Sequence, residues 1–112
     1  MLDTISFEDF TKVDIRTGTI IDVSDFPKAH KPAYQLSIDF GSLGIKKSSA
    51  QITGIYTKED LLNKQIIAII NFKPKQIANF ISECLVLGVA NTDGDIVLLQ
   101  TSAPTINGAQ IN

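Results

Sequence analysis

The sequence predicts an all-β domain, closed as a small five-stranded barrel with short helices between its strands. Three observations carry that expectation. Isoleucine and valine number 17 and 5 against nine leucines and eight alanines, and β-branched side chains suit a pleated, half-buried surface. Short alternating or apolar runs recur along the chain, each closed by Gly, Pro, Asn or Asp, as evenly spaced strands joined by turns require. At 112 residues, 44% hydrophobic and 20% charged, the chain is about one domain in size and apolar enough for a core. A single domain over residues 1–112 is expected, without internal repeat or linker.

Each element follows from local chemistry. Ser6-Phe7-Glu8-Asp9 has the Ser-x-x-acid form of a helix start, and Phe7 and Phe10 share one face. So short a helix is unstable alone, so both rings must dock on something. Val13, Ile15, Thr17 and Thr19 alternate with Asp14, Arg16 and Gly18, and Ile20-Ile21-Asp22-Val23 extends the run. This is a long strand, with a bulge or bend expected at Gly18. Phe26-Pro27 and Lys31-Pro32 bound a turn. Tyr34, Leu36, Ile38 and Phe40 show the clearest period of two, and Gly41-Ser42-Leu43-Gly44 turns that strand into another over Ile45 to Ile52.

Thr57 caps a short helix over Lys58 to Leu62, with Asp60 closing a capping box. Ile66-Ile67-Ala68-Ile69-Ile70 reads as a fully buried strand ended by Pro74. Glu83 to Ala90 and Asp95 to Gln100 are two further strands, joined around Thr92-Asp93-Gly94. The tail holds Pro104, Asn107-Gly108 and a strand-like Gln110-Ile111. The helical insert after the third strand favours a Greek-key barrel of the oligonucleotide/oligosaccharide-binding (OB) type.

The remaining chemistry narrows the function. No apolar run reaches the ~18 residues of a membrane span, and Met1-Leu2-Asp3-Thr4 lacks a signal peptide's basic start. One cysteine, Cys84, makes neither an internal disulfide nor a four-thiolate metal site. A cytoplasmic protein is expected. The lone His30 sits in a loop between two prolines, whereas catalytic and metal sites need several converging groups. Cys84 opens an apolar strand and reads as an inert core thiol; a Cys84–His30 nucleophile pair has no third group to orient it. No catalytic residue, metal or cofactor is expected.

Binding chemistry is what remains. The net charge of -2 argues against indiscriminate nucleic-acid binding. From Ile45 to Ser82, however, the chain carries a local +4 against -6 elsewhere, which points to an anionic partner. The plain alternative is a set of solvated lysines on strand edges. Lys46-Lys47-Ser48-Ser49 lies on the third strand, part of the face with which such barrels meet single strands. Lysines neutralise phosphate; Ser, Gln and Asn offer uncharged hydrogen bonds. Lys47, Ser49 and Gln51 share one side of that strand, Lys46 and Ser48 the other. Asn71 and Lys73-Pro74-Lys75-Gln76 fall at the barrel rim. As plain turn chemistry, Asn71 caps a strand end and Ser82 a helix or turn. Tyr34, Tyr56, Phe72 and Phe80 are the aromatics available for base stacking, with core packing expected for at least two.

Six motifs then occur in a telling order: Asp14-Ile15-Arg16-Thr17-Gly18, Ile38-Asp39-Phe40-Gly41, Ser48-Ser49-Ala50-Gln51-Ile52, Leu62-Asn63-Lys64-Gln65, Asn71-Phe72-Lys73-Pro74 and Ser82-Glu83-Cys84-Leu85-Val86-Leu87-Gly88. In this order the chain resembles the tRNA-binding domain family, found as domains of methionyl- and phenylalanyl-tRNA synthetases, in the EMAP II domain and as free-standing bacterial proteins. It is most similar to the free-standing, CsaA-like branch, over nearly its whole length.

That resemblance implies an OB fold and a homodimer joined through the first helix and the C-terminal strands, with Phe7, Phe10, Val97 and Leu99 as contact residues. It further implies tRNA binding without base-sequence reading, and a chaperone-like binding of polypeptides linked to protein export at an apolar groove associated with the dimer. Carried over by motif position and strand placement, the RNA-binding residues would be Arg16, Lys46, Lys47, Ser48, Ser49, Gln51, Asn71, Lys73, Lys75 and Ser82. The alternative is a purely tRNA-binding accessory protein that assists an aminoacyl-tRNA synthetase; an enzyme built on Cys84 is a distant third. Lys75-Gln76-Ile77-Ala78-Asn79 is poorer in arginine than the family's usual stretch, and Asn79 and Ile81 replace a common glycine and a basic residue. Weak, salt-sensitive tRNA binding is expected in consequence.

Overall fold

The computed structural model describes residues 1–112. In chain order the elements are α1 (Phe7–Thr11), β1 (Ile15–Asp25), β2 (Tyr34–Asp39), a 3-10 turn (Gly41–Leu43), β3 (Ile45–Ala50), α2 (Lys58–Leu61) and β4 (Gln65–Ile69). There follow β5 (Lys75–Ile77), β6 (Phe80–Ser82), β7 (Leu85–Val86), β8 (Gly88–Ala90) and β9 (Ile96–Leu98). Five antiparallel strands in the order β3-β2-β1-β4-β7 curl into a nearly closed barrel, and β5-β6 and β8-β9 form separate two-stranded ribbons.

The length of β1 lets one strand serve two neighbours. Its first half, Ile15 to Thr19, pairs with β4, and its second half, Thr19 to Asp25, pairs with β2. The register shifts between Ile20 and Asp22, so the bulge falls there and not at Gly18. Gly18 sits within the ladder opposite Ile66 for a packing reason. A Cβ on it would lie 2.7 Å from both Ile38 Cγ2 and Phe40 Cε1.

The edge of β1 that β2 does not reach is filled by the C-terminal tail. Thr17 N–H donates to the Ala109 carbonyl (3.0 Å), Gly108 N–H to that of Thr17 (2.7 Å) and Ile111 N–H to that of Ile15 (2.9 Å). The buried Thr17 hydroxyl donates to the Ile106 carbonyl at 2.8 Å. Gly108 turns the tail at φ +83°, and its strand-like end bridges Arg16 at Gln110.

The period-two patterns deliver Ile20, Leu36, Ile38, Phe40, Ala50, Ile66 and Ala68 to the barrel interior, joined by Ile52, Leu61, Cys84 and Leu98. Both expected capping boxes form, Ser6 with Asp9 and Thr57 with Asp60. Thus α2 starts where it can seat Leu61, fully buried, in the core. Burying one such leucine is worth about 2–3 kcal/mol. Tyr34 donates its hydroxyl to the Tyr56 carbonyl (2.8 Å), and the Tyr56 hydroxyl accepts from Leu98 N–H (3.0 Å). These two aromatics are structural.

Three expectations are corrected. In the 66–70 run only Ile66 and Ala68 are buried, while Ile67 and Ile69 are half-buried, because a barrel wall also has an outer face. The run from Glu83 to Ala90 is not one strand. It breaks at Leu87, whose N–H donates to Ile67 (2.9 Å) and whose carbonyl accepts from Leu99 (3.1 Å), so β7 joins the barrel and β8 leaves to pair with β9. No strand is expected between Pro74 and Glu83, yet residues 75–82 form a hairpin, β5-β6.

Candidate nucleic-acid interface

The barrel closes between β3 and the β6–β7 segment, without a regular ladder. The Lys47 carbonyl accepts from Glu83 N–H (2.7 Å), and Lys47 N–H donates to the Glu83 carboxylate (2.9 Å). The Ser48 hydroxyl donates to the Cys84 carbonyl (2.9 Å), and Ser49 N–H donates to the Ser82 hydroxyl (3.1 Å). Side chains of Ser82 and Glu83 thus stand in for a neighbouring strand's carbonyls. This seam ties the barrel at the level of residues 47–49, and beyond it the two walls separate.

The separation is a groove of about 630 Å³. One wall is Ser49, Ala50, Gln51 and Ile52; the other is the segment from Ser82 to Gly88; Phe72, Lys73, Lys75, Ile77 and Ile96 complete it. Its floor is apolar and its rim basic. Local structure explains the rim. Asn71 accepts from Asp14 N–H through Oδ1 (2.9 Å) and donates through Nδ2 to the Lys12 carbonyl (2.8 Å), which pins the 70–74 loop to the α1–β1 junction. Phe72, Lys73 and Lys75 are left exposed. The hairpin turns at Ala78 (φ +53°), where the Gln76 amide donates to the Ala78 carbonyl (3.2 Å). Phe80 packs on the buried Phe26 at 5.4 Å between ring centroids, fixing the hairpin against the barrel.

Of the ten candidate RNA contacts, the groove brings together Ser49, Gln51, Lys73, Lys75 and Ser82. The other five lie apart from it. Ser48 is fully buried, and its hydroxyl is committed to the seam. Arg16 donates to Asp14 and, at 3.0 Å, to the Gly108 carbonyl, which occupies its guanidinium in holding the tail. Asn71 is held by backbone on both sides, as its plain turn reading has it. Lys47 stands on the outer face, in a shallow hollow with Asp22, Ser24, Gln35, Ser37 and Phe80. Lys46 points to the other side of β3 and is half-buried.

The chain's ion pairs are Lys12–Asp9, Arg16–Asp14 and Lys58–Asp25. Lys46, Lys47, Lys73 and Lys75 take part in none of them. The resemblance implies an apolar groove without naming its residues, although the alternation of Cys84, Leu85, Val86 and Leu87 holds the signal: it places Leu85 and Leu87 opposite the core face. Glu83 gave no signal, since its partner is a backbone amide 36 residues away.

Cys84 is buried, and burial pushes its thiol up to about 11. Its sulfur donates toward the Lys47 carbonyl at 3.7 Å, while His30 lies exposed in the 27–32 turn. No cluster of three His, Cys, Asp or Glu side chains is placed to hold a metal ion, and no helix is long and apolar enough to cross a membrane. On α1 no residue is buried; Phe7 is 76% exposed and stacks at 6.0 Å on the half-buried Phe10. Val97 and Leu99 are also exposed, as is Val89 beside Val97 in the β8-β9 ribbon.

A small antiparallel barrel with a lysine-rimmed groove beside its third strand is a ligand-binding domain of the OB type. Comparison with known proteins agrees. The family model described as "Putative tRNA binding domain" matches residues 15–110. Methionine--tRNA ligases of Chlorobium chlorochromatii and Thermococcus onnurineus are 34% and 35% identical over 107 and 111 residues, covering 96% and 98% of this chain. The chain spans about 15% of the length of those curated relatives.

Solved structures match over nearly the whole chain. The CsaA chaperone of Bacillus anthracis shares 49% identity at a TM-score of 0.92, covering 98% of this chain and 100% of its own. The CsaA chaperone protein of Picrophilus torridus shares 55% at 0.91, covering 97% and 100%. A MetRS-related protein of Pyrococcus horikoshii, at 21% identity and a TM-score of 0.86, shares the fold over 98% of this chain and 99% of its own. The chain belongs to the tRNA-binding domain family. Within that family it is a CsaA-like member.

Proposed function

We propose that this protein is a homodimeric, non-enzymatic binder of two ligands, tRNA and unfolded polypeptide, with a chaperone role linked to protein export. The observation that carries the reading is that one groove combines an apolar floor (Ile52, Leu85, Leu87) with an ammonium rim (Lys73, Lys75). Apolar side chains of an unfolded chain gain by leaving water there. Phosphates gain from uncompensated lysines without any base being read. Lys47 on the adjoining outer face extends the phosphate track, and exposed Phe72 offers a stacking surface.

The exposed Phe7 on α1 and the exposed Val89 and Val97 of the β8-β9 ribbon support self-association, since exposed apolar side chains gain by being covered at an interface. A dimer presents two weak basic faces to one large RNA and raises effective concentration at the second. The full-length likeness to two CsaA chaperones supports the polypeptide role, and likeness to the synthetase segment supports the tRNA role.

Two assays test it. Bulk tRNA titrated at low and high salt should shift the protein's mobility at low salt only; no shift at low salt removes the RNA role. Stoichiometric protein should suppress aggregation of a heat-denatured client. If protection is absent while tRNA still binds, the purely tRNA-binding accessory protein replaces this reading.

A further inference from the structure

Beyond the seam, backbone groups along the groove are left without partners. Strand alternation turns the amides of Lys47, Ser49 and Gln51 away from β2, because the Gly44 carbonyl accepts from Phe40 in this hairpin and the pairing steps by two residues from there. Glu83 satisfies both groups of Lys47, and Ser82 accepts from Ser49 N–H. At Gln51 nothing does so: neither its backbone N–H nor its carbonyl has a partner in the chain. Gln51 lies in the groove wall, one step beyond the end of β3. The opposite wall, β7, is engaged with β4 through Leu85 and Leu87.

We infer that the groove is a strand-addition slot: an extended polypeptide segment bonds main chain to main chain at Gln51, the open end of the β3 edge, continuing the line that Ser82 and Glu83 occupy in the seam. The inference rests on the polypeptide-binding reading and states how that binding is achieved. Main-chain hydrogen bonds supply affinity that no client sequence has to encode, while side chains on one face of the added strand meet the apolar floor. Charge complementarity narrows the occupant. Lys73 and Lys75 lack ion-pair partners, and Glu83 is engaged with Lys47 N–H. The segment that fits is extended, apolar at alternate positions and carries a carboxylate near the rim.

The probe is a fluorescent ten-residue peptide of alternating valine and serine ending in two aspartates, measured by anisotropy against the full chain. Two versions carry N-methyl groups at alternate amides, in one register or in the other. Strand addition on β3 predicts that one methylated register loses binding roughly tenfold or more and the other retains it. Gln51→Pro, which removes the unpaired N–H, should reproduce that loss, and Gln51→Ala should not; if Gln51→Pro fails to fold, the peptide series decides alone. Equal binding of all three peptides, or equal loss in both registers, overturns the inference and leaves side-chain-driven polypeptide binding standing. No binding of the unmethylated peptide, together with no protection in the aggregation assay, overturns the inference and the polypeptide reading together. Loss of tRNA binding but not of peptide binding in Gln51→Pro would assign the slot to RNA and overturn the inference as well.

Discussion

Ser48→Ala separates a structural role from a contact role within one family motif. The Ser48 hydroxyl is fully buried and donates to the Cys84 carbonyl at 2.9 Å. Removing it deletes one hydrogen bond, worth about 0.5–1.5 kcal/mol net, and exposes that carbonyl to a desolvation cost of about 1–3 kcal/mol if nothing replaces the donor. The Ser82 hydroxyl, 3.4 Å from the same carbonyl, can close in and recover part of the loss. A net destabilisation of about 1–2 kcal/mol follows. For a domain of this size each kcal/mol moves Tm by roughly 4–6 °C, so a fall of roughly 5–10 °C is expected. Urea titration at fixed protein concentration should show a lower midpoint with unchanged slope. The salt dependence of tRNA binding by the folded variant should match that of the parent. A variant as stable as the parent, with a reduced salt slope, would refute this and return Ser48 to the RNA contacts.

Three further outcomes follow from the same geometry. Lys73→Ala and Lys75→Ala should each lower the magnitude of the logarithmic salt slope of tRNA binding by about 0.7–0.9 while leaving the urea midpoint in place. Unchanged slopes in both would put the basic face elsewhere. Gly18→Ala should cost about 1–3 kcal/mol, because its methyl would press on Ile38 and on the Phe40 ring, both fully buried; a denaturation curve matching the parent's would contradict the packing. Cys84 links stability to alkaline pH. Its folded pKa, about 11, stands above the ordinary 9.0, so the native state holds a proton the unfolded chain releases. Its contribution is full below pH 9 and is lost as pH rises toward 11, by up to about 2–3 kcal/mol. Cys84→Ala should flatten that limb, and rapid alkylation of the native thiol would contradict its burial.

The fold was legible wherever periodicity and capping chemistry are local. Leu36, Ile38 and Phe40 announce β2 by alternation, and Thr57 and Asp60 announce α2 by their spacing. What depends on distant partners was not. Gly18 looked like a bulge because its reason lies in Ile38 and Phe40, in and just past the next strand. The β5-β6 hairpin was hidden because its turn places an alanine, Ala78, at positive φ, where glycine or asparagine would have signalled a turn. Residue type picks out the lysines, four of which stand outside the ion pairs, but it does not tell Ser48 from Ser49. One strand position decides whether a serine faces the core or the groove, and only the closure of the barrel against Cys84 shows which.

The central claim is that one groove between β3 and β7 receives the ligands. Amide hydrogen exchange, measured with tRNA and then with an unfolded polypeptide, tests it most directly. Slowed exchange at residues 49–52 and 82–88 with both ligands is the predicted footprint. Protection confined to the outer face around Asp22, Gln35 and Ser37, with the groove amides unchanged, would contradict it.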